Sequence, residues 1–351
     1  MKTNFFFCLA VFAAFSVSCQ KEASVPEEGL LCVDLRFDTP EVRSAAAPVP
    51  RNPDTTEQPY EKNIRNVDIL IFGHDGRLDL LYNAGTSLAS KDFSVRIGAK
   101  VVWVVINGPD LSSVKRLSDF QTIQTRLDDN TINGPSQGFV MAGSGNCEVT
   151  TKGKAFCSIE VCRFVSRIAL TRVEIALPAA YPNLIIKNVL LANVVANQNL
   201  SGTEQPKTWY NKKGRTESGA IIDGFSGRTA ACPALTFKHS GTTVSNRSSL
   251  PLSTPWFFYG YPNPTAEDPA DVSGDFRAQP SRLIVTAEID GTLYYYPVTL
   301  PALERNKAYE VELSIQGLGT DSPDTPPSKG SFNTQIKIAS WEEGAILNKI
   351  I

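Results

Sequence analysis

Residues that could carry out acid–base or metal chemistry are few in this sequence. The chain of 351 residues has two histidines, His74 and His239, each in a Gly-rich or polar turn and without a second histidine two or four positions away. A zinc site or a histidine general base needs such a side chain beside further ligands or a partner. The acidic turn around Glu267, Asp268 and Asp271 lacks the spacing of an EF-hand. We therefore predict no metal site and no cofactor.

Signals of a nucleophilic or nucleotide-binding enzyme are missing as well. Gly143-Ser144-Gly145 lacks the GxSxG spacing of a nucleophile elbow, and the sequence has neither a Gly-rich loop ending in Lys-Ser/Thr nor a GxGxxG motif. Carboxylate pairs for glycoside hydrolysis stay open, because their members come from distant parts of a sequence. We predict a protein that is not an enzyme and has no catalytic residue.

Two aromatic runs offer a different chemistry, stacking on sugar rings. They are Trp256–Tyr261 and Tyr294–Tyr296. Aromatic residues in strands more often form core contacts and cross-strand pairs, so we interpret both runs as core. Nucleic acid is not a predicted partner, because 34 Lys and Arg offset 36 Asp and Glu to a net charge of −2 and leave no basic field.

The first nineteen residues have the order of a secretory signal. Lys2 precedes an apolar run from Phe5 to Phe15, and small residues lead to Cys19. The run is too short for a membrane span. Small residues directly before a cysteine resemble a bacterial lipobox, in which the thiol receives diacylglycerol. We predict a lipoprotein signal peptide at 1–19 and lipidation of Cys19, with an ordinary secretory signal as the alternative.

Five cysteines remain after Cys8 in the signal and the lipidated Cys19 are set aside. They are Cys32, Cys147, Cys157, Cys162 and Cys232. An odd number cannot pair completely within one chain, and strand cysteines behave as small apolar side chains. We interpret them as buried thiols, while a disulfide among them stays open.

The segment after the signal predicts one strand and an exposed connection. Leu31, Val33, Leu35 and Phe37 alternate with polar residues, as in a half-buried strand. The stretch from Thr39 to Asn63 then has five prolines and no apolar period, which predicts an exposed, flexible connection. Two arginines, Arg43 and Arg51, lie inside this connection.

The rest of the chain predicts a mainly β fold with little helix. Hairpins are predicted around Asp75-Gly76 and Asp290-Gly291, a central strand at 100–106, and one helix from Leu117 to Leu127 capped by Ser118 or Asp119. The polar, Gly-rich excursion at 198–249 is interpreted as solvated. These runs predict two sequential β-sandwich domains of transthyretin-like or Greek-key type, one at 20–155 and one at 156–351.

The order of several motifs resembles the fimbrillins of Bacteroidales, the subunits of donor-strand (type V) pili. The motifs that carry the resemblance are the lipobox, the Asn66–Phe72 strand with its Asp75-Gly76 turn, the apolar Val101–Asn107 strand, Arg163–Ile168, Leu303–Tyr309, Ile315–Gly319 and Ile336–Trp341. They extend over nearly the whole chain after the signal.

This resemblance implies a lipidated precursor that is exported through the periplasm to the outer membrane surface and held there by the lipid on Cys19. An Arg-specific protease then cuts after Arg43 or Arg51, so that 20–43 or 20–51 is a propeptide carrying the first strand. The displaced strand presents Leu31, Val33, Leu35 and Phe37. Other fimbrial subunits are the implied partners, and a fimbrium built from them contributes to adhesion through a receptor on a host or bacterial cell.

The donor strand is expected near the C-terminus, at about 331–351. Its apolar residues are Phe332, Ile336, Ile338, Ile346, Leu347, Ile350 and Ile351. The alternative is that 332–341 forms the last strand of its own sandwich and only the tail donates. Stalk, tip and anchor subunits share this pattern, and a non-polymerising surface lipoprotein that binds glycan is the alternative from another functional class.

Overall fold

A computed structural model describes residues 27–37, 58–130, 138–202, 206, 208–211, 237–267, 278–323, 325 and 332–341. These residues are mainly β-strand, which confirms the predicted fold class. The strands are β1 (Glu28–Phe37), β2 (Val67–Gly73), β3 (Leu78–Asn83), β4 (Lys91–Arg96), β5 (Gly98–Ile106), β6 (Gln124–Arg126), β7 (Met141–Val149), β8 (Lys154–Arg163), β9 (Ser166–Ile175), β10 (Asn183–Ala192), β11 (Val194–Val195), β12 (Asn197–Asn199), β13 (Trp209–Tyr210), β14 (Phe237–Ser245), β15 (Ser249–Gly260), β16 (Arg282–Ile289), β17 (Thr292–Thr299), β18 (Lys307–Ile315) and β19 (Phe332–Ser340). Within these ranges, no helix has the length and apolarity needed to cross a lipid bilayer.

The first eight strands, apart from the short β6, form one seven-stranded sheet in the order β3-β2-β5-β7-β8-β1-β4. Its inner side chains come from β1, β4 and β8 on one side and from β2, β5 and β7 on the other, and together they form one apolar cluster. Rings of the two edge strands meet, because Tyr82 of β3 and Phe93 of β4 have centroids 5.2 Å apart. The sheet therefore closes over its own core as a two-layer sandwich.

The hairpin and central-strand predictions are confirmed here. β2 and β3 pair in antiparallel fashion across the Asp75-Gly76 turn, where Gly76 has the positive φ of 72° that such turns require. The apolar β5 lies between β2 and β7, as its nearly continuous apolar run predicts.

The predicted helix is shorter than its apolar spacing indicated. The helix α1 spans Leu117–Thr122, and the residues that follow form β6 and a 3-10 turn at Leu127–Asp129. Its cap is Arg116 rather than Ser118 or Asp119, because the Asp119 carboxylate reaches back to accept hydrogen bonds from the backbone N–H groups of Lys115 and Arg116 at 3.0 and 2.9 Å. Pairing of β6 with β12 ends the helical run.

The second part of the chain forms two four-stranded sheets, in the orders β14-β10-β16-β17 and β15-β9-β18-β19. The predicted hairpin of β16 and β17 is confirmed, with Asp290 and Gly291 at φ 49° and 75°. The excursion at 198–249 is not solvated throughout, since β14 pairs with β10 as an edge strand. The aromatic runs are largely core, because Phe257, Phe258, Tyr259, Tyr261 and Tyr296 are buried.

The two parts are joined by backbone and side-chain contacts. The chain passes from the seven-stranded sheet to the second part between Arg163, the last residue of β8, and Ser166, the first residue of β9. β6 of the first part pairs with β12 of the second. Arg305, which precedes β18, donates from Nη2 to the carbonyl oxygens of Ala142 and Cys162, both at 3.0 Å. The predicted division into two domains at 155/156 remains a prediction.

A glycine in β7 permits a very close approach to β8. A Cβ atom at Gly143 would lie 1.9 Å from the carbonyl oxygen of Glu160. We expect Gly143→Ala to lower the free energy of unfolding by about 1–3 kcal/mol, because the backbone of β8 would have to move. Urea unfolding measures this change. Ser144→Ala, at the exposed neighbouring position, should change stability by less than about 0.5 kcal/mol, and equal effects of both substitutions would contradict the expectation.

Candidate functional site

Strand β1 lies inside the first sheet and is hydrogen-bonded along both edges. It runs antiparallel to β4, with Glu28 opposite Arg96 and Val33 opposite Lys91. It runs parallel to β8, with Leu30 opposite Lys154. β1 therefore has two backbone ladders while being the first described segment of the chain.

Its apolar face fills a groove between its neighbours. Leu31, Val33 and Leu35 are 0%, 1% and 6% exposed, as their alternation predicts. We name the apolar residues that surround them on β4 and β8 the strand-1 groove. They are Phe93, Val95, Cys157, Ile159 and Val161.

An ion pair crosses the outer face of β1. Lys154 Nζ on β8 lies 2.7 Å from Asp92 Oδ2 on β4, so these two side chains bridge over the strand between them. The hydrogen bond from Lys154 lowers the pKa of Asp92 below its usual range. Cys32 beneath the bridge is buried, although its polar-face position predicts exposure, and burial raises the pKa of its thiol. The pair links the two groove walls across β1.

A second site, which we name the junction cluster, surrounds the buried carboxyl group of Glu61. Tyr259 donates its hydroxyl hydrogen to Oε1 at 2.6 Å, and Arg167 Nη1 lies 3.2 Å from Oε2. The backbone N–H of Gln58 donates to Oε2 at 2.7 Å, and Arg163 Nη2 donates to the Glu61 carbonyl oxygen at 2.9 Å. Burial raises the pKa of Glu61, and Arg167 acts in the opposite direction.

This cluster corrects one prediction. Within the stretch predicted to be exposed as far as Asn63, Pro59–Lys62 forms a 3-10 turn whose Glu61 is fully buried. The Tyr60 hydroxyl lies 3.0 Å from that of Tyr259, and burial raises the pKa of Tyr60 to about 12. The polar local sequence predicts exposure, but the hydrogen bonds of the cluster allow Glu61 to be buried.

Trp341, the last described residue, is part of the same cluster. Its ring is 1% exposed and lies under both arginines, with the guanidinium carbon of Arg163 at 4.5 Å and that of Arg167 at 5.1 Å from the ring centroid. It also stacks on Tyr259 at 5.9 Å. The junction cluster thus fixes the chain both before β2 and after β19.

β19 is the edge strand of its own sheet. It pairs along its whole length with β18, from Ile315 opposite Phe332 to Lys307 opposite Ser340. Phe332 and Ile336 are half-buried in this position. This pairing corresponds to the alternative predicted from the sequence, in which residues 332–341 form the last strand of the same subunit's sandwich.

Several predicted site residues lie outside the described residues. They are Cys19, Arg43, Arg51, Ile346, Leu347, Ile350 and Ile351, together with the side chains of Phe37 and Ile338. The described cysteines, Cys32, Cys147, Cys157 and Cys162, are free thiols. Among the described residues, no three His, Cys, Asp or Glu side chains are grouped to hold a metal ion.

Sequence reasoning missed the role of Glu61 and of the two arginines that hold it. In the sequence, Arg163 and Arg167 stand out only as part of the 163–168 motif. A signal was present, because both arginines interrupt an otherwise apolar run and a charged residue that is buried must be paired. The identity of their partner, about a hundred positions earlier, had no local signal.

The chain superposes over most of its length on several solved structures. A protein assigned to cell adhesion from Bacteroides eggerthii superposes with a TM-score of 0.61 and 18% identity, over 90% of this chain and 97% of that one. A fimbrilin (FimA) of Porphyromonas gingivalis gives 0.60 and 14%, over 91% and 99%. The C-terminally truncated tip fimbrial protein Mfa3 of the same species gives 0.53 and 15%, over 90% and 100%.

The chain has a fimbrillin-like fold. The resemblance drawn from the sequence motifs is thus confirmed for the fold. No model of a known protein family matches the sequence. Both a fimbrilin and a tip fimbrial protein share this fold.

The strand-1 groove predicts a strong difference between the two faces of β1. Val33→Asp places a charge without a partner in the groove and should lower the free energy of unfolding by about 3–5 kcal/mol. Leu30→Asp, at a side chain that is 51% exposed, should change it by less than about 0.5 kcal/mol. Urea unfolding and amide hydrogen exchange of residues 31–35 measure both. Equal tolerance of the two substitutions would show that β1 does not occupy the groove in solution.

The raised pKa of Glu61 predicts a pH-dependent contribution to stability. The folded protein binds this proton more tightly than the unfolded chain, so the contribution is complete below the ordinary carboxyl pKa and declines as the pH rises through the folded pKa. Glu61→Gln removes this dependence and should cost about 1–3 kcal/mol. The loss should be larger at pH of about 4 than at pH of about 8, as measured by urea unfolding.

The control for this experiment is Glu160→Gln, which changes an exposed carboxylate. It should leave the free energy of unfolding within about 0.5 kcal/mol of the wild type at both pH values. A Glu61→Gln deficit that is equal at both pH values, or greater at the higher one, would contradict the assignment.

Proposed function

We propose that this protein is a structural subunit of a cell-surface fimbria that polymerises by protease-triggered donor-strand exchange and contributes to adhesion. The observation that carries the proposal is the placement of β1. This strand fills an apolar groove inside a sheet, yet the chain that links it to the rest of the molecule contains Arg43 and Arg51.

Cleavage after either arginine would change β1 from part of the chain into a bound peptide. Its three buried apolar side chains and its two ladders would then hold it without a covalent link. Departure of β1 would expose the strand-1 groove and unpaired strand edges, which favour addition of another strand. The junction cluster would hold the shortened chain at Glu61, close to its new N-terminus.

The donor is the C-terminal tail of a neighbouring subunit. Trp341 is fixed in the junction cluster and β19 is paired with β18 along its length, so β19 would keep its own pairing if the tail after Trp341 were donated. The tail carries four large apolar residues, Ile346, Leu347, Ile350 and Ile351. We therefore assign strand donation to the tail and give Phe332, Ile336 and Ile338 a place in the subunit's own sandwich.

The remaining parts of the proposal concern export and partners. Cys19 would carry the lipid that holds the precursor at the outer membrane after its passage through the periplasm, and an Arg-specific protease would release the propeptide. The mature subunit would bind other fimbrial subunits and act without catalysis. The likeness in fold to a fimbrilin and to a tip fimbrial protein of Porphyromonas gingivalis supports a place in a fimbria.

Glycan binding through surface aromatics receives less support. The aromatic side chains of the two runs are mainly buried, and Trp256, Tyr294 and Tyr295 are half-buried. Among the described aromatic side chains, the largest exposure is that of Phe156, at 70%, on the outer face of β8. One ring offers a small platform for a sugar compared with the groove that a strand would fill.

The proposal predicts that cleavage triggers polymerisation. Treatment of the purified precursor with an Arg-specific protease should yield a shortened chain and, in unheated samples, a ladder of oligomers that resists mild detergent. The double variant Arg43→Ala/Arg51→Ala should remain uncut and monomeric, because the linker loses both predicted sites. The single variants identify the site that is used, by the mass of the released peptide.

A matched truncation separates the donor from the acceptor. Deletion of 345–351 leaves Trp341 and the strand-1 groove intact, so the truncated protein should be cleaved normally and fail to polymerise alone. It should still cap a chain of wild-type subunits and shorten it. Complete cleavage of the wild type with retention of monomers would overturn the exchange mechanism, and long fibres from the truncated protein would overturn the assignment of the donor.

A further inference from the structure

Two thiols face each other between β7 and β8. Cys157 is buried in the first core, and the half-buried Cys147 packs against the same core. The strands are antiparallel with Ala142 opposite Cys162, and the same register continued by five residues brings Cys147 opposite Cys157. A Cβ atom at Gly145, on the same face as Cys147, would lie 3.0 Å from Cys157 Sγ.

The thiols also interact directly. A hydrogen bond from Cys157 lowers the pKa of the Cys147 thiol, and the same bond together with burial raises the pKa of Cys157. Cys147 is the more accessible of the two and forms a thiolate more readily. It is therefore the attacking thiol in any exchange with an external disulfide.

The cysteines lie where backbone pairing is weakest. β7 and β8, both described in full, have ladder pairs at Met141–Arg163 and Ala142–Cys162 and none beyond them. Arg305 supports that paired end by binding the carbonyl oxygens of Ala142 and Cys162. Toward Cys147 and Cys157 the two strands lie close together without ladder pairs.

We propose that Cys147 and Cys157 form a disulfide that fastens β7 to β8 at the end without a ladder. The oxidant is a low-molecular-weight or protein disulfide. The Cys147 thiolate attacks one of its sulfurs, which forms a mixed disulfide and releases the first thiolate. The Cys157 thiol then loses its proton and attacks the Cys147 sulfur, which releases the second thiolate. Two protein thiols are thereby oxidised by two electrons, and the oxidant is reduced to two thiols.

This bond has a consequence for strand exchange, and that consequence rests on the proposed function. β8 is the wall of the strand-1 groove that runs parallel to β1, and Cys157 itself lines the groove. With β1 absent, the described pairing of β8 is the short ladder to β7. The disulfide would hold this wall in place for an incoming donor strand.

The disulfide is tested on the uncleaved precursor, so the result does not depend on protease processing or polymerisation. Reduced protein is incubated with glutathione disulfide, the remaining thiols are alkylated, and trypsin is used without reductant. Cys147 lies in the peptide 127–152 and Cys157 in the peptide 155–163, which also contains Cys162. A Glu-specific protease cuts after Glu160 and separates Cys157 from Cys162.

We expect one linked peptide that joins Cys147 to Cys157, lighter than the two separate peptides by two hydrogens. Cys162→Ser should retain this link, while Cys147→Ser and Cys157→Ser should lose it. The oxidised wild type should unfold at a higher urea concentration than the reduced protein, and oxidation should not change the midpoint of Cys147→Ser. Separate glutathionylation of the two cysteines, unreacted thiols, or a link to Cys162 would each overturn the proposal.

Discussion

The architecture depends on how the buried carboxyl group of Glu61 is satisfied. A buried acidic group is costly unless hydrogen-bond donors and an opposite charge surround it. Here Tyr259, Arg167 and the Gln58 N–H supply them, and Trp341 covers the two arginines. These groups come from the turn before β2, from β9, from β15 and from the end of β19. Each segment therefore needs the others to be in place, which links the two parts of the chain.

The sequence predicted local features well because they follow from periodicity. Alternation at Leu31, Val33 and Leu35 predicts a buried face whatever strand lies beside it, and Asp-Gly pairs predict hairpins because of their φ preference. Periodicity could not predict which strands pair with β1. Its parallel pairing with β8 joins residues more than a hundred positions apart, and no local pattern encodes such a contact.

The errors have a shared physical origin. Helical spacing at 117–127 was overridden by pairing of β6 with β12, and the polar excursion includes β14 because β10 offers it an edge. Glu61, in a Pro-rich polar segment, is buried because distant donors bind its side chain. In each case, a tertiary partner decided a conformation that the local sequence left undetermined.

The position of β4 would restrict the exchange of β1 that we propose. In the described part of the chain, β4 has ladder bonds to β1 and to no second strand. Without β1, only side-chain contacts of the described residues would hold β4. They include the Arg96–Asp79 ion pair and the Tyr82–Phe93 rings with β3, and the Lys154–Asp92 pair with β8. An emptied groove would thus lose part of one wall as well as its occupant. If β1 is exchanged as proposed, a donor that pairs with β4 and β8 progressively as β1 leaves would avoid that open intermediate. Strand displacement, rather than release followed by rebinding, is therefore the route expected under the proposed function.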